Sequence, residues 1–311
     1  MRLGVAGTGH LGFHHARISR DLVESVRIFD LDRSRGEKVS ADLGVEVTGS
    51  LDELLGNVDA LVVACTTVAH HEVVLRALEA GLHVLVEKPI AATVEEGREM
   101  VDLAAERGVV LAVGHVERFN PAILAAAGLI DTPLFVEGHR MSPFKPRGTD
   151  VSVVMDLMIH DIDLVLSFVR APVVDIRASG IAVLSNNIDI ANARLEFENG
   201  AVVNMTASRI SAAPIRKLRF FQPRTYISVD FAGKSVSAYR HDGESILPVP
   251  VTVTDADALT AELSDFLEAC ETGRPPVVTG ADGLRALSVA QMISSKMQES
   301  LANRTVPMDS E

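Results

Sequence analysis
The sequence predicts an α/β domain built on a doubly wound parallel sheet, followed by an α+β domain with a large open antiparallel sheet. Three observations lead to it. Across the first 115 residues short apolar runs alternate with helical patterns, the signature of βαβ units. A glycine-rich turn, Gly7-Thr8-Gly9-His10-Leu11-Gly12, lies between the first apolar run and the first helical pattern. From Leu134 the texture changes to longer strand-like runs with hairpin-length connections, which imply antiparallel neighbours.

In chain order, strands are expected at residues 2–6, 26–30, 60–64, 83–86 and 109–113, with helical spacing at 11–20 and 71–80. Pro121 and the small residues at 125–128 mark the crossover into the second domain. There Asn199-Gly200 is a hairpin turn between strands at 193–197 and 201–206, and further strands are expected at 217–221, 225–231 and 235–239. One helix interrupts this region at 152–169, and two more close the chain at 257–272 and 280–301. A length of 311 residues suits two domains, placed at 1–118 and 119–311.

Composition excludes several classes. A hydrophobic content of 47% with 23% charged residues is globular, and no apolar run reaches the length of a membrane span. Met1 to Gly12 already reads as strand and turn, so no secretory signal is expected and the protein is expected in the cytoplasm. Cys65 and Cys270 are too few for a disulfide framework and lack metal-ligand spacing, so no metal is expected. A net charge of -13 argues against a nucleic-acid partner.

The glycine turn fits G-x-G-x-x-G directly after a strand and at the opening of a helix, the context of a Rossmann dinucleotide site. The first glycine permits the turn, the second lets a pyrophosphate approach, and the third lets helix and strand pack; His10 and Leu11 open the helix that faces the phosphates. Asp30 follows Gly7 by 23 residues, near the spacing of about 20 of a ribose-binding carboxylate. Such a group repels a 2′-phosphate, so NAD is expected over NADP, although Arg33 and Arg35 nearby weigh the other way.

Beginning at Ala80-Gly81-Leu82-His83-Val84-Leu85-Val86-Glu87-Lys88-Pro89, the chain resembles the glucose-fructose oxidoreductase, inositol dehydrogenase and MocA family over nearly its whole length. Cys65-Thr66-Thr67-Val68-Ala69-His70-His71 is similar to its A-T-P-x-x-x-H segment with Thr67 in place of proline. Glu87-Lys88-Pro89 matches E-K-P, Arg118-Phe119-Asn120-Pro121 resembles R-F-x-P, and Asp156 with His160 fits D-x-x-x-H. The glycine-rich lead-in usual before that aspartate is replaced by Thr149-Asp150-Val151-Ser152-Val153-Val154. The resemblance implies an NAD-dependent dehydrogenase of CH-OH groups, with Lys88, Asp156 and His160 catalytic. It implies cofactor contacts from Thr66, Thr67, His71, Glu87 and Lys88, and substrate contacts from Arg118, Asn120, Lys145 and Arg147. Segments 115–122, 145–150 and 216–223 look like a subgroup linked to lipid A sugar biosynthesis, which oxidises the 3-hydroxyl of UDP-N-acetylglucosamine for later transamination.

Residues 151–169 are apolar nearly all round, so ionisable groups there need a reason. At about 100° per residue, His160 lies roughly 40° and Asp163 roughly 20° from Asp156, while Asp161 points elsewhere. Asp156 would then orient His160 and raise its basicity, or the two would form a merely structural pair. Lys88 stands at the carboxyl edge of the parallel sheet, where ligands of such sheets bind. Glu87 either holds the turn or meets the cofactor ribose, and His70 and His71 are open between nicotinamide contacts and capping or packing.

Arg209, Arg216, Lys217, Arg219 and Arg224 lie in a stretch free of acidic residues, and Arg140, Lys145 and Arg147 form a second basic run. They would bind an anionic substrate such as a sugar nucleotide, or guard sheet edges. Apolar Val202, Met205, Ile227, Val229 and Phe231 exceed what one helix layer covers, so the second domain is expected to form a homodimer or homotetramer interface. Beside hydride transfer to a sugar nucleotide stand two other readings, a free-polyol or inositol dehydrogenase and a non-catalytic NAD-binding regulator; retention of Lys88, Asp156 and His160 argues against the regulator.

Overall fold
The computed structural model describes residues 1–144 and 151–302 and divides the chain into two compact units. One comprises Met1–Phe119 and Ala256–Leu287, the other Asn120–Asp255 and the segment from Ser288 onward.

In the first unit, six strands form one parallel sheet: β1 (Arg2–Ala6), β2 (Ser25–Phe29), β3 (Glu46–Val47), β4 (Ala60–Val63), β5 (His83–Glu87) and β6 (Leu111–Gly114). Their order, β3-β2-β1-β4-β5-β6, reverses between β1 and β4, and ligands of doubly wound sheets bind at the carboxyl ends beside such a switch point. The connecting helices are α1 (His10–Ser19), α2 (Arg33–Leu43), α3 (Leu51–Leu55), α4 (Thr67–Glu79) and α5 (Val94–Arg107). Local chemistry fixes their ends: Asp32 caps α2 by accepting from the Arg35 amide, and Thr93 with Glu96 closes a capping box on α5. β4 is wholly buried, in keeping with a strand covered on both faces.

The expected division at residue 118 differs from this arrangement in one respect. Ala256–Leu287 returns to the first unit. Leu263, Phe266 and Leu267 join Leu3, Ala16, Ile28 and Leu85 in one buried cluster, so apolar burial draws that segment back.

The second unit holds α6 (Pro121–Ala127), β7 (Phe135–Met141), α7 (Ile159–Phe168), β8 (Val173–Ile181), β9 (Ile190–Phe197), β10 (Val202–Ser208), β11 (Ile215–Gln222), β12 (Thr225–Asp230), β13 (Ser235–His241) and β14 (Ile246–Val249). Two last helices follow, α8 (Ala258–Thr272) in the first unit and α9 (Gly280–Ala302), which runs from one unit into the other. The eight strands are ordered β14-β13-β12-β11-β7-β10-β9-β8. The Asn199-Gly200 turn joins an antiparallel pair as expected, with Gly200 at φ 83. β10, however, runs parallel to β7, since the chain leaves β7 through α7 and the β8-β9 hairpin before returning to its side.

Period-two alternation sends Met205, Ile227 and Val229 to the face that α6 and α7 cover, where they are buried, as is Phe231 just beyond β12. The apolar set expected at a subunit interface is therefore already covered within the monomer. Val202 lies three residues from Met205 and so on the opposite face, beside Phe135.

Candidate active site
Each glycine of the G-x-G-x-x-G turn has a separate steric reason. Gly7 has φ 91, and a Cβ there would stand 2.6 Å from the Cys65 backbone nitrogen. At Gly12 a Cβ would stand 1.8 Å from the Gly7 carbonyl oxygen, so helix and strand could not close. At Gly9 nothing lies within 4 Å, which leaves open the place that a pyrophosphate takes. Gly9 caps α1 without a side chain, so the amides of the first turn, at exposed His10 and Leu11, point outward with the positive helix end. These features fit a dinucleotide.

Asp30 follows β2 immediately. Its Oδ2 accepts from the Thr8 amide at 2.7 Å and the Thr8 hydroxyl at 2.8 Å, and its Oδ1 accepts from the Asp32 amide at 2.8 Å. Burial would raise its pKa, but the Thr8 and Asp32 bonds and the Arg35 charge outweigh burial and hold it below the usual carboxylate range. A fixed anion at this strand end accepts ribose hydroxyls and repels a 2′-phosphate. NAD is accordingly expected to bind more tightly than NADP, and titration calorimetry with both cofactors checks it; a preference for NADP would give the Arg35 charge the upper hand.

At the end of β4, Thr66 precedes α4 as its N-cap with Thr67 in the first turn, close in sequence to the backbone that Gly7 approaches. The two histidines that follow part company. His71 Nε2 lies 2.8 Å from Glu99 Oε2 on α5. His70 is buried, with Nδ1 3.0 Å from the Pro89 carbonyl and Nε2 3.3 Å from that of Cys65. Burial pushes its imidazole below the ordinary value.

Glu87 ends β5 and its carboxylate turns inward: Oε1 lies 2.8 Å from His15 Nε2, and Oε2 accepts from the Lys88 amide at 3.3 Å. It thus holds the turn. Lys88 is partly buried at the carboxyl edge of the sheet and precedes a cis bond to Pro89. Arg118 lies in a short 3-10 helix, Val116–Phe119, and its charge acts on Asp282 at the start of α9. Asn120 caps α6, its Oδ1 accepting from the Ala122 amide at 3.0 Å with Pro121 in the first turn. Lys145 and Arg147 lie outside the described residues.

In the second unit the helix expected at 152–169 begins as a π turn, Val154–Met158, which contains Asp156 and passes into α7, where His160 lies in the first turn. A π turn closes on i→i+5 bonds, so the face calculated for a regular helix does not carry across it. Asp156 and His160 are both partly buried. The lead-in that departs from the family pattern is fastened twice: the Val153 amide donates to the Ile188 carbonyl at 3.0 Å, and Arg209 Nη2 to the Val151 carbonyl at 2.7 Å. Asp189 shapes the loop that presents Ile188 by accepting from the amides of Val183, Leu184 and Ser185.

Three members of the basic runs have partners within the second unit. Arg140 is buried and donates through Nε and Nη2 to Asp161 Oδ1 at 3.0 and 2.7 Å, its guanidinium 5.7 Å from the Phe231 ring. Asp161 is thus turned toward this arginine. Lys217 pairs with Asp230, and Arg219 with Glu137, on strands inside the sheet, while Arg216 remains exposed.

Residues 1–115 match the oxidoreductase family with an NAD-binding Rossmann fold, and residues 124–228 match the GFO/IDH/MocA C-terminal domain. The chain belongs to the GFO/IDH/MocA family. It is an NAD-dependent dehydrogenase acting on CH-OH groups. Within the GFO/IDH/MocA family it is similar to the UDP-N-acetylglucosamine 3-dehydrogenase of Acidithiobacillus ferrooxidans, at 39% identity over 94% of this chain and 96% of that one. A solved structure of that enzyme superposes with a TM-score of 0.93 at 38% identity, covering 97% of this chain and 99% of the other. The scyllo-inositol 2-dehydrogenase (NAD(+)) of Bacillus subtilis is 28% identical over 93% of this chain and 92% of that one. Among the described residues no helix is long and apolar enough to cross a membrane.

Sequence reasoning missed His15 and Glu262, which are buried beside Glu87. Both sit within amphipathic helical patterns and read locally as helix surface.

Proposed function
We propose that this dehydrogenase oxidises the 3-hydroxyl of UDP-N-acetylglucosamine, yielding a 3-keto sugar nucleotide that transamination would then take toward a lipid A sugar. The observation that carries it is the 39% identity, end to end, with an enzyme of that name. NAD supplies the hydride acceptor. Loss of hydride from a secondary carbinol carbon is easier as its hydroxyl proton leaves, so the site needs a base and a positive group for the developing oxyanion. His160 serves as the base and Lys88 as the positive group at the alkoxide oxygen, or the two exchange these roles. Asp156 orients the imidazole and stabilises its cation. Both nucleotides are cytoplasmic metabolites, and the reaction is assigned there.

The test is a substrate screen. With NAD, UDP-N-acetylglucosamine is expected to generate NADH faster than UDP-glucose, myo-inositol or scyllo-inositol do, and the product to be two hydrogens lighter by mass. Oxidation of a free inositol without oxidation of the UDP-sugar would overturn the reading in favour of a polyol dehydrogenase.

We also assign a homo-oligomer to this chain, built on the sheet face opposite α6 and α7. Tyr239, Tyr226, Phe221 and Phe135 form an aromatic row across four adjacent strands, with ring centroids 6.2, 5.0 and 5.7 Å apart. The ion pairs of Lys217 and Arg219 flank that row on the same face, so it offers apolar area with matched charges. Light scattering at micromolar concentration is expected to give at least a dimer, reduced to monomer by Tyr226→Asp; a monodisperse monomer in the unaltered protein would refute it.

A further inference from the structure
Three ionisable side chains meet inside the first unit: His15 at 0% exposure, Glu87 at 7% and Glu262 at 2%. One nitrogen or oxygen of each lies within 4.8 Å of the others. They come from α1, the end of β5 and α8. His15 Nε2 and Glu87 Oε1 are 2.8 Å apart, and the other Glu87 oxygen accepts from the amide of Lys88. Across the sheet Gly114 pairs with Glu87, and a Cβ there would stand 3.0 Å from Glu87 Oε2, so β6 leaves room for the carboxylate.

Stability alone does not ask for such a cluster, since well-packed apolar residues in place of buried ionic groups are often neutral or stabilising. Its position offers another reason. His15 lies one and a half turns into the helix whose N-terminus receives the cofactor phosphates, and Glu87 is bonded to the residue that follows it, Lys88. His70 grips the far side of the same turn through the Pro89 carbonyl.

We propose that His15 and Glu262 are positioning residues, acting through Glu87 to fix where Lys88 stands relative to the glycine turn. The proposal rests on the reading that Lys88 acts on the substrate. Misplacement on the order of 1 Å at a reacting centre costs up to about 10²-fold in rate. His15→Ala is therefore expected to lower kcat roughly 10- to 10²-fold with the NAD dissociation constant and KM little changed. His15→Gln, whose amide nitrogen reaches about as far as Nε2, is expected to recover most of the loss. Glu262→Gln, which keeps the shape, is expected to lower kcat in the same direction.

A merely structural residue would lose activity independently of Lys88, so the deciding measurement is a double-mutant cycle on the folded full-length protein. The His15→Ala, Lys88→Ala pair is expected to be no slower than Lys88→Ala alone. Multiplicative losses, or equal loss in His15→Gln and His15→Ala with lowered melting temperature in both, would overturn the proposal. So would activity lost on treatment with EDTA and restored by a divalent cation, because the three side chains would then be metal ligands. Near-normal turnover in Lys88→Ala would instead strike the functional reading, and would do so whatever His15 does.

Discussion

Replacing Lys88 or His160 by alanine is expected to lower turnover about 10²-fold or more on the true substrate while NAD still binds, as loss of a general acid or base does. Lys88 belongs to the carboxyl end of the parallel sheet and His160 to the first turn of α7, and neither is a member of the glycine turn. Asp156→Asn is expected to slow turnover as well, by disturbing the tautomer of His160, and to preserve the fold better than Asp156→Ala. Steady-state kinetics with calorimetric NAD binding separates the effects. Two alanine variants with near-normal kcat would remove the acid-base assignment and leave the NAD site standing.

The second large effect concerns stability. Arg140 and Asp161 are both nearly inaccessible, and Arg140→Ala would leave the carboxylate in the core without its guanidinium. Breaking a buried ion pair from one side costs about 3–5 kcal/mol, so the urea midpoint of the second unit is expected to fall sharply or the variant to aggregate. Substituting both partners, Arg140→Met with Asp161→Leu, is expected to restore much of it, since neither charge of the pair is then left behind. A loss below about 1 kcal/mol in Arg140→Ala would show that water reaches Asp161, and the burial argument would fail.

Those residues also show what a sequence discloses. The parallel sheet was legible because its strands are apolar runs separated by helical spacing, and because the steric demands at Gly7 and Gly12 have only one residue type as their answer. Lys88, Asp156 and His160 were legible as motif members. Arg140 was read as part of a surface run because charge in a sequence carries no depth, and its partner lies 21 positions away. His70 and His71 were left open together, and one helical step, about 100°, points one at Pro89 and the other at Glu99. The π turn at Asp156 escaped notice because an extra residue per turn leaves an all-apolar pattern unchanged. The return of α8 was invisible for a related reason, since an amphipathic helix announces an apolar face and not the surface it will cover.

That return has a consequence for biosynthesis. A nascent chain that has emerged only as far as Phe119 has every strand of the parallel sheet but lacks Leu263, Phe266 and Leu267, so part of the surface around Leu3, Ala16 and Ile28 stays wet. Domains emerging from a ribosome ordinarily fold from the N-terminus, one finished before the next begins. Here the last apolar residues of the first unit's core are synthesised only after the whole of the second sheet, so a fragment ending near residue 119 would lack that cover.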